Sequence, residues 1–410
     1  MSESGGGALR MAIAGMGLRG VSMAGAILRW PVDVEIVGLA DHIKARAELT
    51  AEHHGLSAPC FDDAAKCLDA TRPEALAVYT PDVYHEAPAI AAMERGVHVY
   101  CEKPMATTLE ACDRMIAAAK ASDAVFYMGH NMRMGPYFHT IHEIIAGGEL
   151  GDVLTLEMNE YYYGGRTYFR RWNRLMRVGG GLWITKSVHD FDMMCWLAGG
   201  EPVSVYAVGG RKVFRQRPGA AERCRDCDLR WECDDYQSPR GLIVGDPSSD
   251  RQVAFWEKWQ QLGAGEGYLP NDACLYRGDI ETLEYGVATV QFDNDACATY
   301  TMNVVTTPQI SGRWIMALGS KGALRGDPMA QKIHVSYRGA KAARTYDVSA
   351  LAAGGHGGAD ERIFASFVRA CRGAEQPIAD WADGRRAVRM GLAAQHSMEQ
   401  RQAVNLAREA

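Results

Sequence analysis

The chain has no run of apolar residues approaching the roughly 18 that a membrane span needs, and its charge shows no excess of base. Forty-four Lys and Arg stand against 50 Asp and Glu, for a formal net charge of -6. That balance excludes the global positive field that draws a protein to nucleic acid. The opening stretch MSESGGGALRMAIAGMG holds one arginine and a short apolar run that reads as a strand. It lacks the basic and apolar regions of a secretory signal. A cytoplasmic protein is expected, with no membrane and no nucleic-acid partner. Disulfides are rare in that compartment, so the eleven cysteines need another explanation. Apolar residues are not scarce. At 410 residues and 47% hydrophobic content, two or three domains with ample core are expected, at roughly 100–200 residues each.

The segment LRMAIAGMGLRGVSMAGAILRW reads as strand, turn and helix. Met11, Ala12, Ile13 and Ala14 lead into Gly15-Met16-Gly17-Leu18-Arg19-Gly20, a G-x-G-x-x-G turn, and Val21, Ala24, Ile27 and Leu28 follow at helical spacing. Gly15 permits the tight turn, Gly17 lets backbone approach a pyrophosphate, and Gly20 lets the helix pack on the strand. The helix start at Leu18 and Arg19 offers free N–H groups to phosphate. Alone, the pattern is weak, because glycine is common in any tight turn. A second strand, VEIVGLAD, adds weight. It ends in Asp41, 21 residues past Gly20, where a carboxylate accepts hydrogen bonds from an adenosine ribose. The bland alternative is a surface aspartate beside a packing turn. A carboxylate there repels a 2′-phosphate, which favours NAD over NADP, although His42, Lys44 and Arg46 lie close by in sequence.

Strands and helices continue to alternate. PEALAVYTPD runs into Thr80, Pro81 and Asp82, with His85 just beyond; VHVYCEKP ends at Glu102, Lys103 and Pro104; AVFYMGHNMR carries Asn131. Alternation of this length gives a doubly wound parallel sheet, whose ligands bind beyond the carboxyl ends of the strands. All of these residues fall at such ends. Lys103, fixed before a proline there, is well placed for an active site; a surface lysine in a turn is the plainer reading. After GPYFHTIHEIIAGGELGDV the pattern changes. LTLEMNEYYYG, PVSVYAVGG, ETLEYGVATVQFDNDACATYTMNVV, RWIMALGSKGALRGD and KIHVSYRG are strands with short turns, FDNDACATY among them a hairpin. The fold class is therefore α/β: an N-terminal Rossmann domain over residues 1–135, then an α+β domain over 136–410 with a large, mostly antiparallel open sheet.

A greasy segment, GGGLWITKSVHDFDMMCW, residues 179–196, carries Lys186, His189, Asp190 and Asp192. Taken as one helix, it sets Thr185, His189 and Asp192 on one face. Lys186 then reaches His189 and Asp190 at i+3 and i+4. A buried ion-pair network is the bland reading and a cleft wall the sharper one. Upstream, EYYYGGRTYFRRWNRLMR holds Tyr161, Tyr162, Tyr163, Tyr168, Trp172 and five arginines. Aromatic platforms with guanidinium forks suit sugars, an anionic sugar above all. Tyr163, Arg166, Arg170 and Trp172 are the candidate substrate contacts here, with a solvated loop or an oligomer contact as the alternative. RCRDCDLRWEC sets Cys224, Cys227 and Cys233 at C-x2-C-x5-C, a metal-like spacing in a reducing compartment. Zinc needs a fourth ligand; free thiols or an iron–sulfur cluster are the alternatives. A structural zinc would pin an insertion of about residues 211–275 that has little core of its own. Cys60, Cys67, Cys101, Cys112, Cys195, Cys297 and Cys371 read as buried small hydrophobes.

With its Rossmann half, its CEKPMA, its GGGLWITKSVHDFDMMCWLAGG and its closing PIADWADGRRAVRMGLAAQHS, the chain resembles the glucose-fructose oxidoreductase / inositol dehydrogenase (Gfo/Idh/MocA) family over nearly its whole length. The resemblance implies an open sheet forming the floor of a substrate cleft that faces the nicotinamide of NAD. It implies an enzyme that takes hydride from a secondary hydroxyl of a sugar or glycoside. Lys103 stands where the family's lysine acts near the reacting hydroxyl, and His189 where its histidine serves as acid/base or holds that hydroxyl. Thr185 departs from the family, which usually carries an aspartate there; a threonine cannot ionise. Lys186 follows, where many relatives are apolar, and becomes a third acid/base candidate. Cys274 lies in a D-x-C-x-Y context shared by a subgroup and is the expected fourth metal ligand. Two other outcomes are known in such a family. One is a redox-neutral NAD-dependent glycosidase working by oxidation, elimination, hydration and reduction, on an anionic glycoside such as a sulfoquinovoside. The other is a catalytically silent sensor of NAD or sugar. A homodimer or homotetramer is implied by resemblance alone.

Overall fold

In the computed structural model, residues 7–238, 249–264, 268–340, 343–352 and 355–406 are described. Six parallel strands form the first sheet: β1 (Leu9–Ala14), β2 (Val34–Ala40), β3 (Cys60–Phe61), β4 (Ala75–Val78), β5 (His98–Cys101) and β6 (Phe126–Met128). Helices α1 (Leu18–Ile27), α2 (Lys44–His54), α3 (Ala64–Thr71), α4 (Glu86–Met93) and α5 (Leu109–Lys120) alternate with them. The strand order is β3-β2-β1-β4-β5-β6. β4, with sequence ALAV, is buried throughout, as a parallel sheet covered on both faces requires. The order reverses between β1 and β4, which opens a crevice at their carboxyl ends.

The second half begins with α6 (Pro136–Ala146) and β7 (Val153–Tyr161) and continues through four helices, α7 (Arg166–Phe169), α8 (Met176–Gly179), α9 (Leu182–Thr185) and α10 (Val188–Ala198). Then come β8 (Pro202–Gly210), α11 (Asp250–Gly263), β9 (Tyr285–Phe292), β10 (Cys297–Asn303), β11 (Gly312–Gly319), β12 (Gly322–Asp327), β13 (Lys332–Tyr337) and β14 (Ala343–Asp347). The chain closes with α12 (Ala359–Cys371), α13 (Trp381–Gln400) and β15 (Val404–Asn405). The nine-stranded sheet has the order β14-β13-β12-β11-β7-β10-β9-β8-β15. Within this sheet, among the described residues, only β7 and β10 pair in parallel. β9 alternates exposed and buried residues along its length, the mark of a sheet with one face on the core and one face open. α10 covers β7 and β10, and α13 covers β8. No described helix is long and apolar enough to cross a membrane.

Two features depart from expectation. Residues 182–198 are not one helix. The amides of Lys186 and Ser187 both turn back to the Leu182 carbonyl, at 3.2 and 2.9 Å, and the chain restarts as α10. α13 rests directly on this break: a Cβ at Gly391 would lie 2.6 Å from Ile184 Cδ1 and 2.7 Å from the Trp183 carbonyl oxygen. The insertion also has more core than its sequence implies. Phe255, Trp256 and Trp259 of α11 join the core of the first sheet, and the Trp259 indole donates to the Met16 carbonyl at 2.8 Å. Arg46 is fully buried there, 3.8 Å from the Trp259 ring centroid and 4.1 Å from that of Tyr268. α12 likewise returns to the first sheet, packing Ile363, Phe364 and Phe367 with Tyr100 and Tyr127. The nucleotide half is thus completed by residues far along the chain.

Candidate active site

A cleft of about 1120 Å³ runs from the carboxyl ends of β1, β2, β4 and β5 to the second sheet. At one end it is made of glycine turn. Gly15 has φ +93°, and a Cβ there would lie 2.5 Å from the Thr80 nitrogen. A Cβ on Gly20 would meet the Gly15 carbonyl oxygen at 1.8 Å. Gly20 is therefore a packing glycine and does not line the cleft. Gly17 has open space where its Cβ would be, which leaves the start of α1 accessible to a phosphate. Asp41 closes β2 and is fixed by the amides of Met16 (2.7 Å) and Ile43 (2.8 Å). It lines the cleft with Leu18, Thr80, Pro81 and His85. This set of donors, open backbone and one carboxylate fits a dinucleotide.

Arg19 lines the cleft, and its side chain is tied into the protein. It donates to Glu102 at 2.7 Å and to both oxygens of Asp360 at 2.9 and 2.7 Å. Asn131 donates to the same Asp360 at 2.8 Å. This knot joins the glycine turn, the end of β5 and α12. His85 sits between the loops after β4 and β5, its ring nitrogens 2.7 Å from the Pro104 carbonyl and 2.9 Å from that of Thr80.

Toward the second sheet the wall is side chains. The Lys103 ammonium donates to the Thr185 carbonyl at 2.8 Å. The Thr185 hydroxyl accepts from Asn173 at 2.9 Å and also faces the Asp82 carboxyl. Burial pushes Asp82 up to about 7 against the pull of Lys103 and Thr185. A carboxyl group from the turn after β4 thus faces Thr185. His189 lines the cleft, and among the described residues its Nδ1 has no hydrogen-bond partner. Burial, then the charges of Lys103, Arg313, His130 and Lys186, hold its pKa well below the usual imidazole value. These effects favour the neutral imidazole. Lys186 forms an ion pair with Glu160 at 2.9 Å and stands 3.8 Å from the Tyr162 ring centroid. Burial brings it down to about 8, Glu160 opposing. Arg313 ion-pairs with both Glu160 and Asp190 at 2.7 Å and donates its hydrogen bond to Asp190, so two cations and two carboxylates close a balanced cluster.

The description "oxidoreductase family, NAD-binding Rossmann fold" matches residues 9–130, and "oxidoreductase family, C-terminal alpha/beta domain" matches residues 142–406. The chain belongs to the Gfo/Idh/MocA oxidoreductase family. Its curated relatives include YteT of Bacillus subtilis, 26% identical over 330 residues, 75% of this chain and 74% of that protein. A 2,7-anhydro-N-acetylneuraminate hydratase of Mediterraneibacter gnavus is 31% identical over 140 residues, 33% of this chain and 36% of that protein. D-glucoside 3-dehydrogenase of Escherichia coli is 27% identical over 210 residues, 51% of this chain and 60% of that protein. Among solved structures, levoglucosan dehydrogenase with NADH and levoglucosan shares the fold. Its TM-score is 0.74 at 18% identity, over 97% of this chain and 99% of that one.

As a Gfo/Idh/MocA member the chain shows several departures from its sequence-based site. Arg166, paired with Asp235 at 2.7 Å, and the exposed Tyr163 do not line the cleft. Arg170 touches it but is turned into the insertion, donating to the carbonyls of Ala273 and Asp235. Trp172 lines the cleft. Asp190 and Asp192 face away; Asp192 is bound to Arg133 at 2.6 and 2.9 Å. The expected zinc is not supported. Cys224, Cys227, Cys233 and Cys274 line one cavity of about 20 Å³, yet among the described residues no group of three or more His, Cys, Asp or Glu is arranged to hold a metal ion. Cys224 Sγ accepts from Arg170 at 3.6 Å and Cys274 Sγ from the Tyr276 amide at 3.4 Å. Of the remaining cysteines, Cys67, Cys101, Cys112 and Cys195 are buried as expected, whereas Cys60 and Cys371 are half-buried and Cys297 is exposed.

Sequence reasoning marks the segment that holds Tyr162, Tyr168 and Arg171 without choosing these three for the cleft wall, and it misses Arg313 in that wall and Glu160 and His130 behind it. His130 is buried edge-on to His189, ring centroids 6.2 Å apart, and 3.8 Å from Asp192. It follows β6, so the strand-end rule that found Asn131 could have found it. Glu160 and Arg313 carried no such signal, because β7 and β11 are brought together only by the sheet.

Proposed function

We propose that the protein oxidises a secondary hydroxyl of a sugar or glycoside with NAD. The observation that carries this reading is the meeting of a neutral His189 and a lysine ammonium, Lys103, in one cleft with the glycine turn. When bound, NAD supplies the hydride acceptor. His189 takes the hydroxyl proton, and its low basicity keeps it unprotonated beforehand. Lys103, steered by the Thr185 carbonyl, holds the oxygen on which negative charge develops. Trp172 offers a face for the sugar ring. The D-glucoside 3-dehydrogenase among the relatives supports this chemistry. The test is a panel of sugars and glycosides followed at the NADH absorbance. Absence of NADH with every sugar would sink the reading, and turnover of any would dismiss a silent sensor.

A second reading has its own support. Asp82 at about 7 and Lys186 at about 8 add two groups that titrate near neutrality. A glycosidase that oxidises, eliminates, hydrates and reduces again needs such extra acid/base capacity. The hydratase among the relatives is consistent with chemistry of that kind. Aryl glycosides with catalytic NAD+ separate the two: aglycone released without net NADH favours the glycosidase. We further assign self-association to the open face of the second sheet, where Tyr206, Val208, Tyr285 and Val287 are exposed on adjacent strands. A monomeric mass in light scattering would remove that assignment.

A further inference from the structure

Four arginines lie between residues 166 and 174, and three of them are answered within the protein. Arg166 pairs with Asp235 at 2.7 Å, Arg174 with Asp279 at 2.9 Å, and Arg170 is spent on carbonyl oxygens. Arg171 differs. Its backbone is extended, at φ -128° and ψ -177°, just ahead of the short turn through Trp172, and its side chain lines the cleft. Among the described residues no carboxylate answers its guanidinium. Burial holds its pKa below the usual value, and the groups opposing that are the phenols of Tyr168 and Tyr162. The neighbouring cations are no model for it, since Lys186 and Arg313 are matched by Glu160 and Asp190.

A recessed guanidinium without a counter-ion is costly unless a ligand brings one. Its planar fork matches an oxyanion with two equivalent oxygens. Tyr162 and Tyr168 add hydroxyl donors on the same wall. We infer that Arg171, with Tyr162 and Tyr168, forms a subsite for an oxyanion carried by the sugar, so that the substrate is a sugar acid or an acidic glycoside rather than a neutral one. The inference rests on the reading of the cleft as a sugar-oxidising site. The subsite and the pair Lys103 and His189 line one cleft. One end of the sugar is anchored there while a hydroxyl further along the ring meets Lys103 and His189.

The experiment compares matched pairs: methyl glycosides of gluco, galacto and manno configuration against the corresponding methyl uronides, with the 6-sulfonates as a third arm. NADH formation and the thermal shift with NAD+ present are both read. The expected result is a preference of about tenfold to a hundredfold for one anionic member over its neutral partner, the range of a charge-assisted hydrogen bond. The uronide and sulfonate arms tell which oxyanion is taken. Arg171→Gln should pull that ratio toward one, and Arg171→Lys should keep part of it. Equal treatment of the pair by the wild-type protein overturns the subsite. So does an equal loss on both members in Arg171→Gln, which marks a structural role. Anion binding that depends on Arg171, without any NADH, sustains the subsite and sinks the redox reading. A protein that neither binds nor oxidises any member overturns both.

Discussion

At the nucleotide end the cleft is backbone: Gly15 and Gly17, the start of α1, and one carboxylate held by two amides. At the sheet end it is side chains, several of them charged, drawn from α7, α9, α10, β11 and the irregular segments beside them. The first end is specified by sterics that a few adjacent residues settle, since only glycine tolerates those approaches. The second depends on a balance among buried charges, and each member needs the others in place. Damage should therefore differ in kind: loss of affinity at one end, loss of chemistry or of folding at the other.

The largest effect is expected from Lys103→Ala and His189→Ala. Each should lower turnover by about a thousandfold, within the range for a positioned acid or base, while NAD+ binding, read by tryptophan quenching, stays near wild type. Loss of NAD+ binding instead would move these residues to the nucleotide end. Next come the glycines. Gly15→Ala should lose both Tm and NAD+ affinity, because its methyl meets backbone at a strained φ. Gly17→Ala should keep its Tm and lose affinity alone, because the space around it is open. A Gly17→Ala protein with unchanged affinity would break the assignment of that turn to phosphate.

Lys186→Met should cost about 3 kcal/mol, by leaving Glu160 and Asp190 to Arg313 alone, read by denaturant unfolding. Glu160→Gln in the same chain should restore most of that stability. If activity also returns, Lys186 serves the charge balance; if it does not, Lys186 is the extra acid/base of the glycosidase reading. The smallest effect concerns Asp82. Its folded pKa of about 7 lies above the unfolded value, so the native state prefers the proton and its contribution to stability falls as pH rises from about 4 through 7. Asp82→Asn should therefore raise Tm by a few degrees at pH 8 and leave it unchanged near pH 4. An equal shift at both pH values would place its effect outside ionisation.

Legibility followed the same division. The strand-end rule located Thr80, Asp82, His85, Glu102, Lys103 and Asn131 because each follows a strand whose apolar pattern is local. Arg19 is legible as part of the turn, but its side-chain partner Asp360 lies in α12, which no reading of the turn could supply. The arginine-rich segment was seen as a substrate wall, yet Arg166 and Arg170 were chosen and Arg171 was passed over. Neighbouring residues in an irregular segment point in directions set by tertiary contacts, and composition cannot separate them. The cysteine spacing showed a cluster, and the four thiols do meet at one cavity. It did not show that α11 would anchor the insertion through Trp259.

By itself the sequence determined the parallel sheet, the dinucleotide turn and the residues at the strand ends. These depend on local periodicity and on the sterics of glycine. The tertiary structure decided which charges are spent and which are left over. It broke the helix at Lys186, matched Lys186 to Glu160, tied Arg19 to Asp360 and left Arg171 open to the cleft. The reason is physical: a buried charge is stable only beside an opposite one, and which one stands beside it is settled by the packing of distant segments.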